Sequence, residues 1–241
     1  MNTQPEVTIT EKQTQIRAGI AARAAQVLFS LLFEGAILFV AAGHLDWTWA
    51  WVFLGINLAT ILVNSLFMLR GHRETLAERG RPKEQKNWDK MISGLWAAGQ
   101  YVLLPLIAGL DVRFGWGRDL HLAWHLAGAV LFALGMGLFS WAMITNAFFS
   151  TAVRIQSERS HNVCRSGPYR IVRHPGYAGT VLQAFGAALL LGSSWALLPA
   201  ILCTLMMILR TYFEDRTLQA ELPGYRDFVQ ETRYRLLPGI W

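Results

Sequence analysis

The fold of this chain is decided by a polar stretch that reads CRSGPYRIVRHPGYAG, residues 164–179. Long apolar segments lie on both sides of it, and turn-forming, aromatic and cationic residues are concentrated within it. Gly167-Pro168 interrupts regular structure, and the residue before a proline is kept out of the helical region, so we predict an extended His174. The stretch therefore predicts either a binding site or a cationic loop that only sets the orientation of the chain in a membrane.

Composition indicates an integral membrane protein. Hydrophobic residues make up 53% of the 241 residues and charged residues only 16%, against roughly 25% in a soluble domain. The net charge of +6 does not indicate nucleic acid, because the basic residues lie in loops between apolar runs, and we predict no nucleic-acid partner. Cys164 and Cys203 lie in a loop and a predicted helix, without metal-type spacing, so we predict neither a disulfide nor a metal site. The first 20 residues are polar, so no cleavable signal peptide is expected.

The apolar runs predict an all-α, polytopic membrane bundle of five to six helices. Two of the runs are about 15 residues long, short of the roughly 20 that span a bilayer, and form a C-terminal helical hairpin. Whether this hairpin, residues 177–209, crosses the membrane fully or re-enters on the same side is left open by its length. The predicted runs are 24–42, 47–69, 91–110, 121–149, 177–191 and 195–209.

The distribution of Lys and Arg predicts the topology. Of the 22 basic residues, 20 fall on one side of this layout, which places both termini and residues 150–176 in the cytoplasm, and a bacterial inner membrane is the expected location. Residues 70–90 form the most charged segment and are predicted to be a solvated loop, while residues 1–19 are predicted to be a frayed or interfacial arm.

Some polar and small residues lie inside the predicted apolar helices. Glu34 is a carboxylate within the first run; we favour a structural hydrogen bond to a neighbouring helix over a functional role, which stays open. Gly128, Gly135 and Gly137 in the fourth run predict close helix packing.

A second polar cluster follows the hairpin. Arg210 and Glu214 are four residues apart and share one face of a helix. Because the hairpin leaves and returns to the same side, we expect Tyr177 and Arg210 to lie close together. An arginine there suits an anionic substrate, a glutamate suits a cationic ligand, and a tyrosine ring offers a face to a cation.

The two clusters together resemble a known family. GPYR-x-x-RHP-x-Y-x-G at 167–179, the pair Arg210 and Glu214 followed by Asp215, and PGYR-x-F with RLLPG near the end are similar to isoprenylcysteine carboxyl methyltransferases and phospholipid methyltransferases. The resemblance covers about residues 150–241. It implies two regions: transmembrane helices at 1–149, and a catalytic region at 150–241 with the membrane hairpin, a small cytoplasmic cofactor-binding region and a C-terminal amphipathic helix.

The resemblance implies S-adenosylmethionine-dependent methyl transfer to a lipophilic acceptor that enters from the bilayer, with an isoprenylcysteine-like carboxylate favoured. Arg210 matches the residue that orients the substrate, and Arg210 and Glu214 form the expected catalytic pair. Gln156 is a weaker match than the other cofactor contacts. The positions that match cofactor contacts are Gln156, His161, Val163, Cys164, Tyr169, His174, Pro175, Gly176, Tyr177 and Glu214.

Alternatives remain for the activity and for single residues. A nicotinamide-dependent membrane reductase of the steroid-reductase type has a similar Arg-His-Pro loop, but it carries Asn and Glu where this chain has Gly176 and Thr180. A non-enzymatic membrane scaffold is the other alternative. Cys164 fits an apolar wall better than a nucleophile, and His174 fits a structural role at least as well as that of a general base. The acceptor and the oligomeric state stay open.

Overall fold

The computed structural model describes residues 9–80, 85–117 and 120–241, and these residues form helices and loops without a strand. The α-helices in chain order are α1 (Ile9–Ala42), α2 (Thr48–Gly71), α3 (Arg73–Gly80), α4 (Asn87–Ala98), α5 (Leu104–Phe114), α6 (Leu122–Thr145), α7 (Pro175–Leu190), α8 (Leu197–Glu221) and α9 (Tyr225–Glu231). A π-helical segment, Gly99–Leu103, joins α4 to α5, and short 3₁₀ helices lie at Ser157–Arg159 and Gly167–Arg170.

Five of these helical segments are long and apolar enough to cross a membrane: Gln13–Ala42, Thr48–Gly71, Asn87–Phe114, Leu122–Thr145 and Leu197–Glu221. Their outward-facing leucine, valine and phenylalanine side chains are exposed, as expected of helices surrounded by lipid. The predicted polytopic helical bundle is confirmed. The first helix begins at Ile9, so residues 9–19 belong to a helix and the predicted arm is wrong for them; residues 1–8 lie outside the described ranges.

Close packing of α6 against α7 positions the site. A Cβ atom added at Gly135 would lie 2.7 Å from the carbonyl oxygen of Gly179, and one at Gly128 would meet the backbone at Leu189 and Leu190. Two of the three glycines thus act as predicted, because only a missing side chain lets the backbones approach so closely. Gly137 does not, since a Cβ there would meet nothing within 4 Å.

The hairpin formed by α7 and α8 reaches the end of the bundle opposite the polar cluster. Its turn lies against the α5–α6 connection, where Ser193 Oγ donates a hydrogen bond to Asp111 Oδ2 over 2.6 Å. The 16 residues of α7 span roughly 24 Å at 1.5 Å per residue. The hairpin therefore runs the length of the bundle and is not a shallow re-entrant loop. Beyond Arg210 the chain continues as α8 to Glu221, and the short α9 follows.

The predicted solvated loop at 70–90 is wrong for most of its described part. Residues 73–80 form α3, which packs on α1: a Cβ atom at Gly19 would lie 2.7 Å from the carbonyl oxygen of Ala77. Arg79 is 6% exposed and Asp89 is fully buried. Residues 81–84 lie outside the described residues. The charged composition of this segment reflects buried pairing as much as solvation.

Glu34 is buried in α1, as an intramembrane carboxyl group facing the bundle interior would be. Within the described ranges no hydrogen bond is made to its side chain, so the expected structural hydrogen bond is absent there.

Candidate functional site

A pocket lies between the loop 146–174, the start of α7, the last turns of α8, and α9. It encloses about 800 Å³ of empty space, including its opening to solvent. Its walls are strongly aromatic. Phe148 stacks on His161 with ring centroids 4.4 Å apart, and the Tyr177 ring lies parallel to that of His174 at 5.7 Å. Such a wall can bind a flat ring system and a cation.

The turn at Gly167-Pro168 shapes one wall of the pocket. Gly167 has a φ of 56°, a left-handed conformation, and a Cβ atom there would lie 2.8 Å from Thr145 Oγ1. The 3₁₀ helix that follows buries Tyr169, whose hydroxyl accepts a hydrogen bond from Asn146 Nδ2 over 3.3 Å and donates to the carbonyl oxygen of Ala142. Burial raises the pKa of the Tyr169 hydroxyl, so it stays protonated as a donor.

The Arg-His-Pro segment is fixed to the C-terminal tail. The backbone N–H groups of Arg173 and His174 donate to the carbonyl oxygens of Tyr234 and Arg235, each over 2.9 Å. His174 is outside the helical region, as its place before Pro175 predicts, but its ψ of 59° makes it less extended than expected. Pro175 is the first residue of α7.

Asp215 connects the elements behind the pocket. This fully buried carboxylate accepts hydrogen bonds from Arg173 Nε over 2.8 Å, from the Tyr225 hydroxyl over 3.0 Å and from Arg235 Nε over 3.0 Å. His174 Nε2 lies 3.3 Å from the same carboxylate. The buried carboxylate therefore holds the His174 ring in place at the pocket wall. Burial, and then the nearby Asp215 charge, raise the pKa of Tyr225 well above its ordinary value.

Tyr177 joins the two polar clusters. Its hydroxyl donates a hydrogen bond to Glu214 Oε2, and its ring lies 5.1 Å from the guanidinium carbon of Arg210. The hairpin thus brings Tyr177, Arg210 and Glu214 together as predicted. Arg210, however, does not line the pocket: its Nε donates to Asp89 Oδ1 and its Nη2 to the carbonyl oxygen of Thr151, each over 2.7 Å.

Comparisons with known proteins match the helices that carry the site. The family model of the phospholipid methyltransferases matches residues 123–222, which hold α6, α7 and α8. Over this stretch the chain is therefore similar to that family, and the resemblance found in the motifs is confirmed. All of the site residues predicted from the sequence lie within the matched stretch.

Curated relatives match over shorter parts of their length. A "Probable protein-S-isoprenylcysteine O-methyltransferase" of Oryza sativa subsp. indica is 34% identical over 65 residues, which are 27% of this chain and 34% of the relative. "Protein-S-isoprenylcysteine O-methyltransferase B" of Arabidopsis thaliana is 30% identical over 107 residues, 42% of this chain and 53% of the relative. The chain therefore spans about a third to a half of the length of these relatives.

Eight of the predicted residues line the pocket: His161, Val163, Cys164, Tyr169, His174, Gly176, Tyr177 and Glu214. Gln156, Pro175 and Arg210 do not. Gln156 is buried behind the pocket, where its Nε2 donates to the carbonyl oxygen of Phe148 and its backbone N–H donates to His161 Nδ1 over 3.2 Å. It positions both stacked rings and does not touch the cavity.

Other lining residues were not found from the sequence: Asn146, Phe148, Phe149, Arg173, Tyr225 and Phe228. Phe148 and Phe149 resemble ordinary membrane residues, and only their position directly before the polar segment could have indicated a place in the pocket. Tyr225 and Phe228 belong to the PGYR-x-F motif, which was used for the resemblance and not for the site. Asp89 lies outside residues 123–222, and it was missed because a charged segment surrounds it.

His161 is neutral in the folded protein. Burial, with Arg154 and Arg159 nearby, lowers its pKa from 6.5 to about 4. A neutral Nδ1 is what the backbone N–H of Gln156 requires as an acceptor. His161 therefore offers a polar, uncharged edge to a ligand at neutral pH.

The structure also shows the state of the two cysteines and of the potential metal ligands among the described residues. Both Cys164 and Cys203 are free thiols, and Cys164 Sγ lies 3.7 Å from the carbonyl oxygen of Thr145 as part of the pocket wall. Among the residues that the structure describes, no cluster of three potential ligands suits a metal ion.

The chemistry of the pocket suits a ligand that carries a flat ring and a cationic group. Aromatic faces lie beside Glu214, a carboxylate that can pair with an ammonium or hydroxyl group. The reductase alternative fits less well, because the position where such enzymes carry Asn is Gly176. A Cβ atom there would already lie 2.8 Å from Phe149 Cζ.

Proposed function

We propose that this protein is a membrane methyltransferase that binds S-adenosylmethionine in the aromatic pocket and methylates the carboxylate of an isoprenylcysteine-like lipid. The observation that carries the proposal is the Tyr177–Glu214 hydrogen bond, which closes one pocket from two motif segments on different helices. The names of the plant relatives support the same chemistry. The excess of basic residues on one side supports a cytoplasmic site.

The residues divide into three tasks. The stacked pair Phe148 and His161 would offer an outer ring face to the adenine ring, and Glu214 would hold a polar or cationic part of the cofactor. The buried Asp215 cluster keeps Arg173, His174 and the tail rigid around the site. Such positioning can contribute roughly 7–11 kcal/mol to a two-reactant displacement.

S-adenosylmethionine, held by the aromatic wall and Glu214, would supply an electrophilic methyl group for transfer to the acceptor carboxylate. The chain has to hold the acceptor in line and exclude water, and charge is neutralised as the carboxylate reacts. A low-polarity aromatic wall suits this change in charge. No covalent nucleophile is required, which agrees with Cys164 lying in the wall.

Calorimetric titration of the detergent-purified protein tests the cofactor. We expect S-adenosylmethionine to bind and a nicotinamide dinucleotide not to bind. Absence of heat with S-adenosylmethionine at about 1 mM, together with nicotinamide dinucleotide binding, would overturn the proposal. Mass spectrometry of lipid extracts incubated with a labelled methyl donor then identifies the acceptor. A labelled methyl ester supports a carboxylate acceptor, whereas a labelled methylamine shows that the acceptor is an amine.

A further inference from the structure

Arg79 of α3 is a buried cation with no anionic partner among the residues that the structure describes. Its side chain belongs to a residue that is 6% exposed, yet it makes no hydrogen bond or ion pair with any residue in the described ranges. Two comparably buried arginines are different: Arg173 is paired with Asp215 and Arg210 with Asp89. A desolvated charge is costly unless an opposite charge or hydrogen-bond acceptors compensate it.

The surroundings of Arg79 are aromatic and cationic. Its guanidinium carbon lies 5.1 Å from the ring centroid of Phe149 and 5.4 Å from that of Phe139. Arg23 and Arg210 are near enough to act on its charge unfavourably. Burial first, and then Arg23, lower the pKa of Arg79 from 12.5 to about 9, so it is still a cation at neutral pH. The rings compensate only part of the cost, and an anion would compensate far more.

Arg79 lies beside the proposed cofactor pocket, one ring away. Phe149 lines that pocket, and the same ring that contacts Arg79 also touches Gly176 at the start of α7. Tyr177, another lining residue, contributes to the electrostatic environment of Arg79. The guanidinium therefore lies behind the Phe149 wall of the pocket, on the side of the membrane helices α1 and α6.

The position of α3 is fixed by specific contacts. Thr75 Oγ1 donates to the carbonyl oxygen of Ala147 over 2.8 Å, and Arg154 Nη2 donates to Glu78 Oε1 over 2.6 Å. Both contacts join α3 to the loop that lines the pocket. Gln26 Nε2 on α1 also donates to the carbonyl oxygen of Gly80 over 3.0 Å. These bonds lie on both sides of Arg79 in the chain, so they hold its part of α3 in a fixed position beside the loop.

We propose that Arg79 binds the anionic group of the lipid acceptor beside Phe149, and so makes the enzyme selective for acids over neutral lipids and amines. This inference rests on the proposed methyltransferase function. A guanidinium can donate to one carboxylate oxygen and leave the other free to receive the methyl group. Arg210 is less suited to this task, because its charge is already paired with Asp89 and its Nη2 donates to the carbonyl oxygen of Thr151. The selectivity then comes from a helix outside residues 123–222, which the family model matches.

The test compares two probes, N-acetyl-S-farnesylcysteine and its carboxamide, which differ in the anionic group. Binding of each is measured by equilibrium dialysis on detergent-purified full-length protein. We expect wild type to prefer the carboxylate by at least about tenfold. Arg79→Met should remove that preference by weakening the carboxylate alone, with S-adenosylmethionine affinity unchanged. Arg73→Met, an exposed arginine on the same helix, is the matched control and should behave as wild type.

Each outcome decides the matter. Equal binding of the two probes by wild type overturns the inference without any variant, and so does an Arg79→Met protein that loses both probes equally or keeps the preference. If Arg79→Met does not fold, Arg79→Lys is tested in its place and should show a reduced preference for the carboxylate probe. An affinity of Arg79→Lys for the carboxylate probe equal to that of wild type contradicts the role of the guanidinium. If S-adenosylmethionine does not bind wild type while the carboxylate preference depends on Arg79, the methyltransferase proposal fails and the anion site stands.

Discussion

Arg210 and Asp89 form a buried ion pair, with the guanidinium Nε 2.7 Å from Asp89 Oδ1. The other carboxylate oxygen accepts the backbone N–H of Val153 over 2.8 Å. One aspartate on α4 therefore joins α8 to the loop that lines the pocket. Arg210 is thereby held beside Tyr177, with its guanidinium carbon 5.1 Å from the centre of that ring, and its orienting of the substrate stays a prediction.

Asp89→Ala should destabilise the protein by about 3–5 kcal/mol, because it leaves the Arg210 cation buried without its partner. Denaturant unfolding in detergent measures the change. Glu221→Gln is the control, since it breaks the partly exposed Lys86–Glu221 pair and should cost under about 1 kcal/mol. Equal losses for the two variants would show that the Arg210–Asp89 pair adds nothing beyond a surface contact.

The sequence predicted the helical bundle, close packing of the fourth apolar run against some other helix, and the approach of Tyr177 to Arg210, because each depends on local pattern or on chain reversal at one hairpin. It did not predict that Asp89 is buried. A carboxylate in a charged segment looks the same whether water or a distant arginine compensates it, and Arg210 is 121 residues away in the chain. The same ambiguity concealed α3 and Arg79.

The role of Glu214 can be separated from that of the framework. Glu214→Gln removes the charge from the pocket while keeping the shape, so we expect S-adenosylmethionine affinity to fall at least about tenfold with little loss of stability. Arg210→Ala should instead lose turnover together with stability, since Asp89 is then unpaired. Calorimetry and thermal unfolding on both variants distinguish the two effects, and equal cofactor affinity for Glu214→Gln and wild type would remove Glu214 from the binding site.

Tyr177→Phe tests whether the link between the two clusters matters through its hydroxyl. The variant keeps the ring beneath Arg210 and removes only the donor to Glu214. We expect weaker cofactor binding, since the freed carboxylate is no longer held in one orientation, and nearly normal stability. Tyr212→Phe on the outer surface of α8 is the control. Identical titrations for Tyr177→Phe and Tyr212→Phe would argue against an orienting role.

Two glycines on α6 offer a matched test of the helix contact that positions α7. Gly135→Ala would place a Cβ 2.7 Å from the carbonyl oxygen of Gly179 and should cost about 1–3 kcal/mol, because backbones must separate. Gly137→Ala meets open space and should be neutral or stabilise by up to about 1 kcal/mol through helix propensity. Thermal unfolding of the two variants measures this difference, and a stabilised Gly135→Ala protein would contradict the packing.

The lowered pKa of His161 predicts a pH dependence with a defined sign. The unfolded chain, in which His161 has its ordinary pKa near 6.5, takes up a proton before the folded protein, whose His161 titrates at about 4. The stabilising contribution is therefore complete above pH 6.5 and is lost as the pH falls from 6.5 toward 4. His161→Asn lacks this titration, so its unfolding midpoint should fall less than that of wild type between pH 7 and pH 4.5. Parallel pH profiles of the two proteins would show that the imidazole is as easily protonated in the pocket as in the unfolded chain.

Cofactor affinity measured over the same range should stay constant down to about pH 5, because the neutral ring that stacks on Phe148 persists there.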